Sequence, residues 1–294
     1  MNILVAGGTG FIGTRLVRAL NDDGHDVTAL ARDPDEADFP AGVERVRGDV
    51  TAYDSIEGAF EGQDVVVNLV ALSPLFQPSR GQSHMRVHLG GTENVVTAAQ
   101  NHDVRKIVQM SALGADPNGT TEYLRAKGQA EQVVRESGLA FTIFRPSVVF
   151  GEGGEFVSFT KKLSTPYVTP LPGGGATRFQ PIWVGDLVPM LAAGVEEERD
   201  GEVYEIGGPQ VLTLGDVTKL VYRAEGKPAN VLPIPMPLVK VGLSAAEFVP
   251  FVPFGADQFR SLRLDNTVSR NDIDAFGVDE GDLTTLSSYL GLSE

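Results

Sequence analysis

The segment EYLRAK places a phenol and an ammonium four residues apart, at Tyr123 and Lys127. Residues at this spacing share one face of an α-helix, so the two side chains can lie next to each other. An ammonium beside a phenol favours the phenolate and so lowers the pKa of a group that ordinarily titrates near about 10. The pair can therefore act as a general acid and base, or it can be two ordinary residues on a helix surface.

Short apolar runs alternate with amphipathic segments through the first half of the chain. We expect strands at residues 2–6, 26–31, 43–47, 64–71, 105–111 and 140–145. Strands that alternate with helices pair in parallel through right-handed crossovers, which predicts an α/β fold with a Rossmann-type doubly wound sheet. Gly-rich and Pro-rich loops then replace this pattern. We predict a dinucleotide-binding domain at 1–150 and a smaller substrate lobe mainly at 151–294, with some segments free to return to the first domain.

The first predicted strand leads directly into GGTGFIG at residues 7–13. Gly8, Gly10 and Gly13 have the spacing G-x-G-x-x-G, and Gly7, Gly10 and Gly13 have the spacing G-x-x-G-x-x-G. Glycines at these places permit a tight turn, a close approach of the backbone to a pyrophosphate and close packing of the next helix. A glycine-rich segment can also be only a tight turn between a strand and a helix. Because this motif follows the first strand and opens a helix, it favours a dinucleotide site over such a turn. The residues expected at this site are Gly7, Thr9, Gly10, Phe11, Ile12 and Gly13.

The end of the second predicted strand bears on the choice of dinucleotide. NAD enzymes place an acidic residue there, which hydrogen-bonds the ribose 2′-OH. Here that position is Ala31, and Arg32 follows it. A guanidinium can bind a 2′-phosphate by two hydrogen bonds, so the sequence favours NADP(H) over NAD(H). Asp33 is close enough to leave NAD(H) open.

Several segments together have a recognisable pattern. They are GGTGFIG at 7–13, GDV at 48–50, GGTENVV at 90–96, QMSALGA at 109–115, Tyr123 with Lys127, RPSVVFG at 145–151, FQPIWVGDLV at 179–188, YEIGGPQVLTLGDV at 204–217 and DQFRSLRLDN at 257–266. In these segments the chain resembles the extended or atypical short-chain dehydrogenase/reductases, which are similar to NAD-dependent epimerases and dehydratases. Within that superfamily it is most similar to the branch that contains the nucleotide-binding accessory subunit of respiratory complex I.

The resemblance implies roles for residues outside the glycine turn. It implies that Tyr123 is the general acid/base and that Lys127 contacts the nicotinamide ribose and lowers the pKa of the tyrosine. It implies that Asp49 and Val50 lie by the adenine, and that Leu69, Val70 and Ala71 lie under the adenosine. Pro146 and Val149 are expected in the nicotinamide pocket.

The chain departs from the family pattern at two places. The stretch after the fifth predicted strand contains Ser111, but Ala112 and Leu113 follow without a hydroxyl. Ser111 is therefore either a catalytic donor or only a hydroxyl at a strand end. His88 replaces the usual asparagine before GT, and it can hold the backbone or the cofactor or donate a proton. No ligands at suitable spacing accompany it, so we expect no metal site, and we expect His84 at the surface or in a loop.

The formal net charge is −15, and only seven of the 24 basic residues are lysine. An acidic surface repels phosphate backbones and anionic lipids, so we expect no nucleic-acid or membrane-surface partner. Cysteine is absent, which suits a reducing cytoplasm. We expect a cytoplasmic protein without a signal peptide, because the first predicted strand begins at Asn2, and without a transmembrane segment. The helices of such domains often pair, so a homodimer remains open.

The acidic, lysine-poor composition also suggests adaptation to high salt. Raising KCl from about 0.1 M to about 1 M shortens the Debye length from about 10 Å to about 3 Å and so screens the repulsion between carboxylates. We expect the melting temperature, followed by circular dichroism, to rise by about 5 °C or more over that range, which corresponds to roughly 1–2 kcal/mol for a chain of this size. Equal melting temperatures at both concentrations would contradict the interpretation.

Three functions are compatible with the sequence. The first is an NADP(H)-dependent oxidoreductase on a small apolar carbonyl or alcohol. The second is a cofactor-holding subunit or assembly protein of a respiratory complex, without turnover. The third is a nucleotide-sugar epimerase or dehydratase. The Pro-rich and Phe-rich run at 232–254 either packs over the C-terminal lobe or lines a pocket for an apolar substrate.

Overall fold

The structure, a computed structural model, describes residues 1–76, 78, 81–162, 169–235, 260–261 and 263–292. The chain divides into two compact units. The first unit comprises Met1–Leu72, Pro78–Pro146 and Gly185–Glu205. The second unit comprises Ser73–Gln77, Ser147–Val184 and Ile206–Glu294.

The described strands and helices follow the chain in this order. The strands are β1 (Asn2–Ala6), β2 (Asp26–Ala31), β3 (Glu44–Arg47), β4 (Val65–Asn68), β5 (Lys106–Met110), β6 (Ala140–Pro146), β7 (Val149–Phe150), β8 (Thr169–Pro172), β9 (Arg178–Phe179), β10 (Ile182–Trp183), β11 (Glu202–Ile206), β12 (Leu212–Thr213) and β13 (Val231–Ile234). The helices are α1 (Gly13–Asp22), α2 (Gly91–Asn101), α3 (Glu122–Glu136), α4 (Glu155–Lys162), α5 (Val184–Ala193), α6 (Leu214–Ala224) and α7 (Leu286–Tyr289). A π-helical turn, Met85–Gly90, leads into α2.

Seven strands form one sheet in the order β11-β6-β5-β4-β1-β2-β3. The pairings from β3 across to β6 are all parallel, which confirms the predicted doubly wound α/β fold. The chain runs outward from β1 in one direction through β2 and β3, and in the other through β4, β5 and β6. The reversal lies between β1 and β4, and in such sheets ligands bind at the carboxyl ends of the strands beside this reversal.

Helix α1 forms because its apolar residues recur at helical spacing. Leu16, Val17 and Leu20 are buried together with Gly13 at the first position. Helix α3 begins after Thr121, whose hydroxyl accepts a hydrogen bond from the Leu124 N–H at 3.2 Å, an N-cap that stabilises the first turn. The inward face of α3 is unusual because Lys127 and Glu131 are buried on it among small apolar residues.

The second unit consists of short strand pairs and helices. β7 pairs with β10 and β8 with β13 in parallel, while β9 pairs with β12 antiparallel. An apolar cluster that contains Phe150, Phe156, Leu171 and Phe179 packs with helix α6. The described residues of this unit thus form an apolar core of their own.

Part of the run at 232–254 lies outside the described residues, because the structure describes nothing between 235 and 260. In the segment at 257–266, residues 257–259 and 262 also lie outside the described residues. Among the residues that are described, no helix combines the length and the apolar character needed to cross a membrane.

Candidate functional site

The glycine-rich turn is packed too closely for side chains at two of its positions. A Cβ atom on Gly13 would lie 2.1 Å from the Gly7 carbonyl oxygen, and a Cβ on Gly8 would lie 2.9 Å from the Cβ of Ala29. Gly7 has φ of +84°, a conformation that glycine adopts without strain. Helix α1 then begins without a side-chain cap on its first N–H groups. The N–H groups of Gly7 and Gly8 donate to the Leu30 carbonyl oxygen and that of Gly10 to the Gly7 carbonyl oxygen, which fixes the tight turn directly before α1.

The end of β4 lies against this turn. A Cβ on Gly7 would be 3.3 Å from the carbonyl carbon of Leu69 and from the nitrogen of Val70. The Leu69 N–H donates to the Ala6 carbonyl oxygen at 3.0 Å. The structure therefore brings together the β1 turn and the residues Leu69 and Val70, two of the predicted parts of the site.

Arg32 is exposed at the end of β2 and makes no hydrogen bond or ion pair with the described residues. Asp33, the residue that left NAD(H) open, forms an ion pair with Arg47 at 2.7 Å. Arg47 lies on the neighbouring strand, where it is the register partner of Ala31. The carboxylate next to Arg32 is thus paired with a guanidinium, and two arginines lie at the adjoining ends of β2 and β3.

Asp49 and Val50 follow β3, and both are held in local contacts. The Asp49 carboxylate accepts hydrogen bonds from the N–H and the hydroxyl of Thr51, both at 2.9 Å. Val50 is buried, and its carbonyl oxygen accepts a hydrogen bond from Asn94 Nδ2 at 2.7 Å. Asp49 Oδ1 therefore stabilises this turn. Val50 provides a buried apolar side chain after the end of β3.

Tyr123 and Lys127 differ in their contacts although they share a face of α3. Tyr123 is partly buried, and its hydroxyl forms no hydrogen bond with the described residues. Lys127 is only 2% exposed, and its Nζ donates to the Met110 carbonyl oxygen at 2.8 Å. The lysine is therefore anchored to the end of β5, while the phenol oxygen of Tyr123 remains available.

Burial sets the pKa of both groups. Burial lowers the pKa of Lys127 to about 8, although the negative charge of Glu131 acts to raise it. The ammonium therefore predominates at pH 7. Burial raises the pKa of the Tyr123 phenol above its ordinary value. This direction is opposite to the lowering expected from the ammonium, because burial disfavours the charged phenolate.

Ser111 directly follows β5, and its hydroxyl is bonded to a carboxylate. It is 4% exposed, and its hydroxyl donates to Oε1 of Glu131. The same carboxylate forms a bidentate ion pair with Arg145, at 2.8 Å and 2.6 Å. The hydroxyl of Ser111 is thus part of a buried ionic network, which leaves its predicted role as a catalytic donor without support from the geometry.

His88 lies in the π-helical turn and packs against the phenol ring. Its ring centroid is 5.4 Å from that of Tyr123, with the planes at 79°. Its Nε2 accepts a hydrogen bond from the Leu72 N–H at 3.3 Å. Burial lowers the pKa of His88 well below its ordinary value, and the nearby charges of Lys127 and His84 act in the same direction. The imidazole is therefore neutral at pH 7.

The prediction of a surface or loop position for His84 is wrong. His84 is 2% exposed; its ring stacks on His88 and meets Tyr123 edge-on, both at centroid distances of 5.4 Å. The expectation failed because no apolar periodicity marks the segment GQSHMRVH, and the four-residue spacing of the two histidines was the available signal. Two imidazoles thus flank the phenol.

The remaining predicted residues lie at the ends of β6 and β7. Pro146 is buried in the first unit, and its carbonyl oxygen accepts a hydrogen bond from the Leu113 N–H at 3.2 Å. Val149 belongs to the second unit, in β7. Within the described part of the chain, no group of three or more His, Cys, Asp or Glu side chains could hold a metal ion.

Sequence reasoning missed a buried amide at the end of β4. Asn68 Nδ2 donates to Thr92 Oγ1 at 3.2 Å and to Gln109 Oε1 at 3.0 Å, and its Oδ1 accepts from the Val70 N–H. Thr92 in turn donates to the His88 carbonyl oxygen at 2.7 Å. A polar residue at the end of an otherwise apolar strand was the signal, and the network joins the β4 end to the turn that carries His88.

Comparison with known proteins gives a consistent result. A family model described as NAD(P)H-binding matches residues 7–165. The mitochondrial NADH dehydrogenase [ubiquinone] 1 alpha subcomplex subunit 9 of Arabidopsis thaliana is 29% identical over 290 residues, which cover 91% of this chain and 71% of that protein. The NAD(P)H azoreductase of Xenophilus azovorans is 28% identical over 248 residues, which cover 82% of this chain and 80% of that protein. A nucleoside-diphosphate-sugar epimerase from Staphylococcus aureus superposes with a TM-score of 0.75 at 19% identity, over 99% of both chains.

Proposed function

Because the chain belongs to the NAD(P)H-binding family, with the fold of epimerase-like short-chain dehydrogenase/reductases, we propose that it is an NADP(H)-dependent oxidoreductase. The observation that carries the proposal is the close approach of Gly13 to the Gly7 carbonyl oxygen, which leaves no room for a Cβ and suits a bound pyrophosphate. The unit that contains this turn also contains Tyr123 and Lys127. Isothermal titration calorimetry with NADPH and NADH tests it first. No affinity for either nucleotide would refute it.

The residues present fit a bound dinucleotide. The uncapped start of α1 after the glycine turn suits the pyrophosphate. Val50 and Leu69–Ala71 suit the adenosine half, and Pro146 suits the nicotinamide half. When bound, the nicotinamide supplies or accepts a hydride. The chain itself contributes the proton: Tyr123 can give its phenolic proton to a carbonyl oxygen in the reducing direction or take one from an alcohol in the other.

Lys127 is proposed to hold positive charge near the phenol. Its anchoring at Met110 fixes the position of the ammonium at the end of β5. Because its pKa is about 8, the ammonium is lost as the pH rises through that value, and with it the electrostatic support of a phenolate. The catalytic competence of the pair is part of the proposal and depends on the substrate assay described in the Discussion.

The preference for NADP(H) is proposed to rest on Arg32. Arg32→Ala is expected to raise the Kd for NADPH by about 10- to 100-fold, since a charge-assisted hydrogen bond contributes about 1.5–3 kcal/mol. The Kd for NADH is expected to change by less than about twofold, because NADH has a 2′-OH in place of the 2′-phosphate and so makes no ion pair with Arg32. Calorimetry with both nucleotides measures the two constants.

Arg223→Ala provides the matched control. Arg223 is exposed in the last turn of α6, in the second unit, and its replacement removes one positive charge, as Arg32→Ala does. It is expected to leave both affinities unchanged. If Arg32→Ala weakens NADPH and NADH equally, Arg32 does not read the 2′-phosphate, and the stated preference is incorrect.

The substrate is proposed to be a small apolar carbonyl compound or alcohol. The similarity to an NAD(P)H azoreductase supports the reduction of a compound that is not a nucleotide sugar. The epimerase-like structures support the fold alone, so epimerase or dehydratase chemistry remains the less favoured alternative. A cytoplasmic location and a homodimer remain predictions.

A second candidate is a cofactor-holding subunit or assembly protein of a respiratory complex. The 29% identity to a subunit named for NADH dehydrogenase favours it. Such a subunit would bind NADPH and show no turnover. Co-purification of the protein with a membrane respiratory complex, undiminished in Tyr123→Phe, would favour this candidate, and a pull-down that recovers no partner would count against it.

A further inference from the structure

Two arginines of β3 pair with aspartates of the loop that follows β2. Arg45 and Arg47 are two residues apart in the strand, so their side chains lie on the same face of it. Arg47 Nη1 donates a hydrogen bond to Asp33 Oδ1 at 2.7 Å, and Arg45 Nη1 lies 3.9 Å from Asp35 Oδ1. Both aspartates belong to the acidic sequence DPDEAD at 33–38. Strand β3 therefore sets positive charge against the acids beside the end of β2.

The pair of Asp33 and Arg47 has little to do with holding the fold together. The two side chains are 55% and 64% exposed, and ion pairs between exposed side chains contribute little to stability. The sheet register places the pair. Arg47 ends β3 opposite Ala31, which ends β2, so its guanidinium reaches a residue just beyond the strand end. A nucleotide bound at this edge of the sheet could reach both groups.

Asp33 lies close to the position at which a Rossmann-type sheet selects its dinucleotide. NAD enzymes have an acidic side chain at the end of the second strand, where it hydrogen-bonds the ribose 2′-OH. A free carboxylate at that position would equally repel a 2′-phosphate. In this chain the Asp33 carboxylate is bonded to a guanidinium, which offsets its negative charge.

The state of this carboxylate matters in opposite ways for the two cofactors. NADPH brings an additional phosphate to a chain whose net charge of −15 already opposes anions. NADH presents a hydroxyl in the same place, and a free carboxylate can accept a hydrogen bond from it. Whether Asp33 is paired or free therefore bears on which nucleotide the strand end favours.

We propose that Arg47 is a specificity-determining residue for NADP(H), because it pairs with Asp33 and so keeps that carboxylate from repelling the 2′-phosphate and from binding the 2′-OH of NADH. The inference rests on the proposed function and deepens it. It assigns to β3 a part in cofactor selection that is separate from the direct contact proposed for Arg32.

The test is a double-mutant cycle on the full-length protein. The wild type, Arg47→Ala, Asp33→Ala and the double variant are titrated calorimetrically with NADPH and with NADH. Such a cycle isolates the effect that Arg47 has through Asp33 from any effect that it has alone. Circular dichroism establishes that each variant is folded, which the exposure of both side chains favours.

We expect Arg47→Ala to raise the Kd for NADPH about tenfold and to lower the Kd for NADH about threefold, since it frees a charged hydrogen-bonding group. In the Asp33→Ala background the same replacement is expected to change either constant by less than about threefold, because no carboxylate is left to free. Equal effects of Arg47→Ala with and without Asp33 overturn the proposal. So does a change of both constants in the same direction and to the same extent.

Arg45→Ala is the matched control within the strand. It removes one positive charge from the same face of β3, but its guanidinium lies over the ring of Phe39 at 5.6 Å and is far less closely paired. It is expected to leave both constants within about twofold, since its partner is not the residue beside the strand end. If Arg45→Ala acts like Arg47→Ala, total charge is the cause and the proposal is overturned.

The two levels of the argument fail in different ways. A wild-type protein that binds neither nucleotide refutes the proposed function, and the inference with it. A wild-type protein that binds NADPH, with an Arg47→Ala variant of unchanged affinities, refutes the inference alone.

Discussion

The variant Tyr123→Phe is expected to bind NADPH with unchanged affinity and to lose about 100- to 10,000-fold in turnover, the usual contribution of a positioned general acid or base. Phenylalanine keeps the ring that packs against His84 and His88, both at 5.4 Å, and removes only the oxygen. The loss would therefore report on proton transfer and not on packing. The assay follows NADPH oxidation with a panel of ketones, quinones, azo compounds and sugar nucleotides.

The affinity for NADPH, measured by calorimetry, serves as the internal control for this variant. If the wild-type protein turns over none of the compounds, or if Tyr123→Phe turns over as fast as the wild type, Tyr123 is not the acid/base. The first of these outcomes, with NADPH binding intact, would favour the role of a cofactor-holding subunit.

The variant Gly13→Ala is expected to weaken NADPH binding by about 100-fold or more, which corresponds to about 2.7 kcal/mol. A Cβ at this position would lie 2.1 Å from the Gly7 carbonyl oxygen and 2.9 Å from the carbonyl group of Gly8. Neither neighbour is a flexible side chain, so the start of α1 must move away from the turn. The start of α1 would then no longer lie where we propose that it meets the pyrophosphate.

Gly58→Ala is the matched control, since a Cβ on Gly58 would meet no atom within 4 Å and its φ is not positive. It is expected to bind NADPH like the wild type. Circular dichroism and the melting temperature establish whether Gly13→Ala is folded. A folded Gly13→Ala protein with wild-type affinity would show that the turn does not hold the dinucleotide.

The strands of the sheet were predictable because a parallel sheet buries continuous apolar runs. The predicted strands at 2–6 and 26–31 coincide with β1 and β2, and the other four overlap β3 to β6. The edge strand β11 was not assigned, because Glu202–Ile206 is short and follows an acidic turn. Its place in the sheet depends on a pairing with β6 that is distant in sequence, and periodicity carries no information on such pairings.

The candidate site was predictable where it is local and not where it depends on packing. The glycine turn is a contiguous motif whose geometry follows from the residues themselves. The commitment of Ser111 to Glu131 could not be read from the sequence, since Glu131 looks like any charged residue of a helix surface. Glu131 lies four residues after Lys127 and eight after Tyr123, which places all three on one face of α3. Burial of Glu131 on that face is what makes it a partner for Ser111.

The return of the chain to the first sheet at β11 constrains the order of events during synthesis. The seven-stranded sheet lacks its last strand until Glu202–Ile206 has been translated, although the six preceding strands are complete at Pro146. At roughly 5–20 residues per second the ribosome needs several seconds to cover that interval. During those seconds β6 exposes an unpaired edge, so a nascent chain of this protein has a period in which a chaperone that shields strand edges would be of use.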